Sequence, residues 1–139
     1  MSLVHGSMGV GYFCHVFSPT FIEAGLLADT AMSTAVLAIN QQIHDLAPVL
    51  NTPSIANAVT VSSSNSAVPV DLMVKRLGGA LYLFAVAMRP TTTTATFTVR
   101  GPPAATVTVL GEARTLSLSG GAFSDAFAPY AVHLYRIGP

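Results

Sequence analysis

Charge is scarce in this chain of 139 residues: Asp, Glu, Lys and Arg make up 9% of it, against about a quarter of an ordinary soluble domain. Six Lys and Arg balance six Asp and Glu, so neither sign is in excess. That balance argues against a nucleic-acid footprint and against a cationic patch held on an anionic membrane. Tryptophan is absent, which removes the broadest planar ring available to a sugar-binding face. A single cysteine, Cys14, excludes an internal disulfide, and its apolar neighbours in sequence point to a buried, inert thiol. No apolar run approaches the roughly 18 residues of a membrane span. The longest, Gly79 to Met88, is strand-sized and stops at Arg89-Pro90. The start has none of the basic, apolar and small-residue zones of a signal peptide, and residues 1–8 read as a leader. None of these absences fixes a compartment.

What the chain does have is apolar residues, 51% of the total. With so little charge, two readings stand open. Either the surface is coated with Thr, Ser and Ala, or part of it is normally covered by something else.

Hydrophobic periodicity divides the rest into two zones. Residues 9–50 form the first. Gly9 to Phe17, GVGYFCHVF, is short, aromatic and apolar, the pattern of a strand buried on both faces. Met32, Val36, Ile39, Ile43 and Leu46 then recur at spacings of four and three, which predicts an amphipathic helix from about Thr30 to Ala47. Asp29 or Thr30 is its N-cap, and Pro48 disfavours helical geometry at Ala47.

Residues 51–139 form the second zone, which is rich in β signals. Strands are expected at Val59–Val61, Val70–Leu77, Ala80–Met88, Thr93–Val99, Ala105–Leu110, Arg114–Leu118, Ala122–Ala126 and Tyr130–Ile137, with Ser62–Ser66 a loop. Gly78-Gly79 and Ser119-Gly120-Gly121 mark hairpins, since glycine tolerates the positive φ that tight hairpin turns need. The expected class is therefore mainly β: an antiparallel, two-sheet Greek-key sandwich of about eight strands, preceded by a short strand and one helix.

Candidate chemistry is thin. His5, His15, His44 and His133 show no metal-ligand spacing with one another or with Cys14, so no metal and no cofactor is expected. Glu23, Asp29, Asp45, Asp71, Glu112 and Asp125 show no pairing of the kind glycoside hydrolysis needs. Glu112 reads as a turn residue and Asp125 as a turn cap, so no catalytic residue is expected. Phe84, Phe97, Phe123 and Phe127 fall at core positions. Tyr12, Tyr82, Tyr130 and Tyr135 could stack on sugar rings if exposed, and the last three are the carbohydrate-contact candidates.

Three segments carry a resemblance. Lys75-Arg76-Leu77-Gly78-Gly79-Ala80-Leu81-Tyr82-Leu83-Phe84-Ala85-Val86, the run from Val107 to Leu118, and the tail from Phe127 to Ile137 resemble the C-terminal β-domain that follows the (β/α)8 barrel of many bacterial glycoside hydrolases. Gly9–Phe17 and the helix running to Asn51 look like the last strand and helix of such a barrel. The resemblance implies a non-catalytic accessory domain that packs on and stabilises the barrel. It places the catalytic carboxylates on earlier barrel strands, outside this chain, and implies a parent enzyme of an often exported class. The barrel is the implied partner, with self-association through the N-terminal strand and helix as another contact. A carbohydrate-binding module that takes up polysaccharide and a subunit-interaction sandwich unrelated to sugars remain as alternatives.

Overall fold

A computed structural model describes residues 1–138. The chain divides into two units, Met1–Ser7 together with the chain from Val49 onward, and Met8–Pro48.

The larger unit is mainly β. Its strands are β1 (Val59–Ser63), β2 (Val70–Leu77), β3 (Ala80–Ala87), β4 (Thr93–Val99), β5 (Ala104–Val109), β6 (Arg114–Ser119), β7 (Ala122–Phe127) and β8 (Val132–Ile137). All pairings are antiparallel, and the eight strands form one sheet in the order β1-β4-β7-β6-β5-β8-β3-β2. The two edge strands, β1 and β2, approach each other without a ladder, so the sheet is nearly closed into a barrel.

Alternation decides what lies inside. β4 buries Thr93, Ala95, Phe97 and Val99 and turns Thr94 and Thr98 outward, as a period of two requires. Phe97 and Phe123 stack at 4.8 Å with planes 14° apart, and Tyr135 packs on both at 5.2 Å. Val107, Val109, Leu83 and Phe127 close the core around these rings. The paired glycines do what their position demands: Gly78 and Gly79 have φ of 58° and 83°, and Gly120 and Gly121 have 59° and 78°, the left-handed values that a two-residue hairpin turn takes.

β3 is buried on both faces. Leu81, Leu83 and Ala85 face the core, while Phe84 and Val86 lie on the other side yet are also shielded. A 3-10 turn, Ser2–His5, lies against β2 and β3, so residues 1–7 belong to the β unit. The Lys75 ammonium, buried on that outer side, donates to the Thr52 carbonyl at 2.6 Å.

In the other unit, α1 is a single turn, Gly25–Ala28, and α2 runs Thr30–Leu50, crossing into the β unit at its last residues. Asp29 is the N-cap, its Oδ1 accepting from the Met32 amide at 2.9 Å. Pro48 lies inside the helix. It forfeits one backbone bond without stopping the chain, and the helix ends beyond the expected Ala47. The expected strand at Gly9–Phe17 is corrected: only Val16 pairs, in an isolated bridge to Ile22. Among the described residues no strand pairs along the run, whose backbone is met at Val16 by Ile22 and at Cys14 by the Leu26 amide, and a single strand has no hydrogen bonds of its own to hold it. Gly25 backs onto Val16 so closely that a Cβ there would strike its side chain.

Smaller corrections concern strand ends. β1 extends through Ser62 and Ser63, because Ser63 keeps its partner Ala95. The last strand begins at Val132, since Tyr130 adopts φ 56° in a turn.

Phe97→Ala should cost about 3–5 kcal/mol, the range for emptying an aromatic core position. Thr98→Ala, on the exposed face of the same strand, should stay within about 0.5 kcal/mol. Urea unfolding of both variants checks this.

Candidate functional site

The ionisable residues that the sequence left scattered converge at the inner side of three strands. On β6, Arg114 shares the inward parity of Leu116 and Leu118. On β7, Asp125 lies between the buried Phe123 and Phe127. On β8, His133 shares a face with Tyr135 and Ile137. Glu112 reaches in from the β5–β6 turn.

Asp125 is the hub. Arg114 Nη1 and Nη2 donate to its two oxygens at 3.0 and 2.7 Å, the forked geometry that suits guanidinium to carboxylate. The Tyr135 hydroxyl donates to Oδ2 at 2.8 Å, and the Ala126 amide donates to Oδ1 at 2.9 Å. The side chain is only 9% exposed, so this saturation is what makes its burial tolerable. Arg114 Nε also donates to Glu112 Oε2 at 2.8 Å. Glu112 Oε1 meets His133 Nδ1. The other ring nitrogen of His133, Nε2, is buried without a hydrogen-bond partner, and the ring stands edge-on to Phe127 at 4.6 Å.

Burial alone would push the Asp125 carboxyl up. The hydrogen bonds from Arg114 and Tyr135 outweigh it and hold the group below its ordinary value. Glu112 follows the same pattern, with desolvation overcome by the bonds to His133 and Arg114. Its bond to Asp125, more than any other influence, raises the Arg114 guanidinium further. Burial, then the bond to Asp125, raises the Tyr135 phenol. Two carboxylates held in the ionised form around one guanidinium make a structural ion cluster.

Glu112 lies in the β5–β6 turn, as its sequence setting suggests, whereas the expectation that Asp125 caps a turn is corrected: it lies within β7. Cross-strand register brings them to one arginine. The available signal was an acid at an inward position, Asp125 between two core phenylalanines, with Arg114 and His133 at inward positions of strands that could pair nearby.

The carbohydrate-contact candidates fare differently. Tyr135 is wholly buried, so no sugar ring can stack on it; its place in the aromatic core and its bond to Asp125 account for it. Tyr130 is exposed and Tyr82 half-buried, and no ring contact joins them among the described residues. Tyr12 donates to Asn40 Oδ1 at 3.0 Å. Cys14 is half-buried, with Sγ 3.8 Å from His15 Nδ1. His15 Nδ1 also contacts the Glu23 carbonyl. His44 is largely solvated beside Asp45. No group of three or more His, Cys, Asp or Glu among the described residues could hold a metal ion. Among the described residues no helix is long and apolar enough to cross a membrane.

No family model, no curated protein and no solved structure matches the chain.

Both carboxylates in the cluster have depressed folded-state pKa values, so their stabilisation is complete above the ordinary carboxylate range and lost as pH falls through the lower, folded value. Urea midpoints should decline as pH is lowered from about 4.5 toward 2, and Asp125→Asn should flatten part of that decline. Arg114→Met, which leaves Asp125 buried without its counter-ion, should cost about 3 kcal/mol at pH 7, the low end for breaking a buried pair.

Proposed function

We propose that this chain is the non-catalytic C-terminal accessory domain of a glycoside hydrolase. Its β unit packs on and stabilises the catalytic barrel, and residues 9–50 supply the barrel's last strand and helix. The observation that carries this reading is the state of Met8–Pro48, where only Gly25 is buried. Phe13, Phe17, Leu27 and Leu37 are 67–72% exposed, and Met32 and Ile39 of the α2 stripe are about half exposed. An apolar strand-like run and a one-stripe helix with no core of their own are what a doubly buried barrel strand and its outer helix become without the rest of the barrel.

Two further features support the same reading. The two carboxylates of the ion cluster are both held below their ordinary range, so neither is kept protonated as a general acid would be, which fits chemistry carried elsewhere. The sheet also reads as two leaves, β1-β4-β7 and β6-β5-β8-β3-β2, because β6 and β7 share one pair, Ser119↔Ala122, beyond their turn. On that view the domain is a two-sheet sandwich, and the chain crosses between leaves in Greek-key fashion after β1, β3, β4, β6 and β7.

Self-association is the second reading, favoured by the same exposed residues: a second copy would cover them. A carbohydrate-binding role rests on Tyr130 and Tyr82 alone and has no aromatic row behind it.

The chain alone, assayed at high concentration against a panel of aryl glycosides and polysaccharides, should release no sugar above background. Turnover that Glu112→Gln or Asp125→Asn abolishes would overturn the proposal. Sedimentation of the same sample separates the readings, since a concentration-dependent dimer supports coverage by a second copy.

A further inference from the structure

The seam of the barrel is a cleft. Between the edge strands β1 and β2 lies an open cleft of about 540 Å³, lined by Val59, Val61, Val70, Leu72 and Val74 and by the loop 54–57. That volume is in the range of small-molecule and peptide sites. The walls also offer backbone. The Ile55 amide donates to the Val74 carbonyl at 2.9 Å, so Val74 turns its backbone groups away from β3. Alternation gives Val70 and Leu72 the same orientation. On the other wall, Val99 donates to Gly121 and not to β1. Its partner Val59, and by alternation Val61, therefore also present their backbone groups to the seam. Edges of this kind capture extended peptides.

The cleft has one carboxylate, Asp71. Its side chain is 35% exposed, and its Oδ2 lies 3.0 Å from His5 Nε2. The residue before His5, Val4, lines the cleft itself. An apolar side chain followed by a nitrogen base is thus already seated there, on a turn that packs against β2 and β3 with no residue of Ser2–His5 fully buried.

We propose that this cleft is a peptide-binding site that the chain occupies with its own N-terminal turn. Its external ligand is a short peptide carrying an apolar residue followed by a basic one, the apolar group on the valine wall and the base on Asp71. The complementarity is of charge as well as shape, because Asp71 is the carboxylate of the cleft and the ligand brings the cation. Val4 and His5 compete with that ligand in cis.

The test uses the full chain with Val4→Ser and His5→Ser together, and a capped Leu-Val-His-Gly peptide as probe. Amide chemical shifts are followed by NMR. Saturable shifts at Asn57, Leu72 and Val74 are expected. The doubly substituted chain should bind at least tenfold tighter than the unaltered one, and adding Asp71→Asn should weaken binding about tenfold. Absence of saturable shifts there overturns the proposal, as does binding indifferent to Asp71→Asn. Loss of the folded spectrum in the doubly substituted chain also overturns it, because a dispensable occupant cannot be required for the fold.

Discussion

Tyr135 has two surroundings to satisfy at once. Its ring is wholly buried against Phe97 and Phe123, and its hydroxyl must find an acceptor in a place water does not reach. Asp125 provides that acceptor. A carboxylate so shielded is tolerable only with a counter-ion, which Arg114 provides through two parallel bonds. Arg114 in turn draws in Glu112, and Glu112 meets His133. Each step is forced by the one before it. The result ties β6, β7, β8 and the β5–β6 turn together at the place where direct pairing between β6 and β7 has dwindled to a single residue pair. The cluster does by side chains what the ladder there does not do by backbone.

The same chain of necessity sets the charge state of the two carboxylates. Catalytic carboxylates have their environments set apart, one holding its proton and one not. Glu112 and Asp125 are both pulled toward the ionised form by a shared guanidinium. Their burial costs are offset by the bonds to Arg114, Tyr135 and His133, which tie the register of the strands that carry them.

Much of the β unit was legible because its determinants are local. The bounds of β2 and β4 follow from alternation, and the hairpins from the glycine pairs at 78–79 and 120–121. The core positions of Phe97, Phe123 and Phe127 follow from parity, while Phe84 is buried on the outer side of β3. The cluster was not legible, because Arg114, Asp125 and His133 meet only once the register among three strands is set. Asp125 was nonetheless an anomaly, an acid at a core-facing position. Gly9–Phe17 misled for a related reason: its composition is that of a buried strand, but a strand needs a neighbour, and among the described residues its one β-bridge is Val16 to Ile22. The cleft could not be foreseen either, since closure of the sheet is what brings β1 beside β2.

The β unit thus has a core and an ion cluster of its own, whereas the stretch Met8–Pro48 encloses nothing but Gly25. Amide hydrogen exchange of the chain in dilute solution tests that division most directly. β3, β4 and β8 should exchange only through global opening, while the amides of α2 before Pro48 and of Gly9–Phe17 should exchange orders of magnitude faster. Protection of α2 equal to that of β3 at every concentration would contradict the account, because it would mean that the helix already has its core.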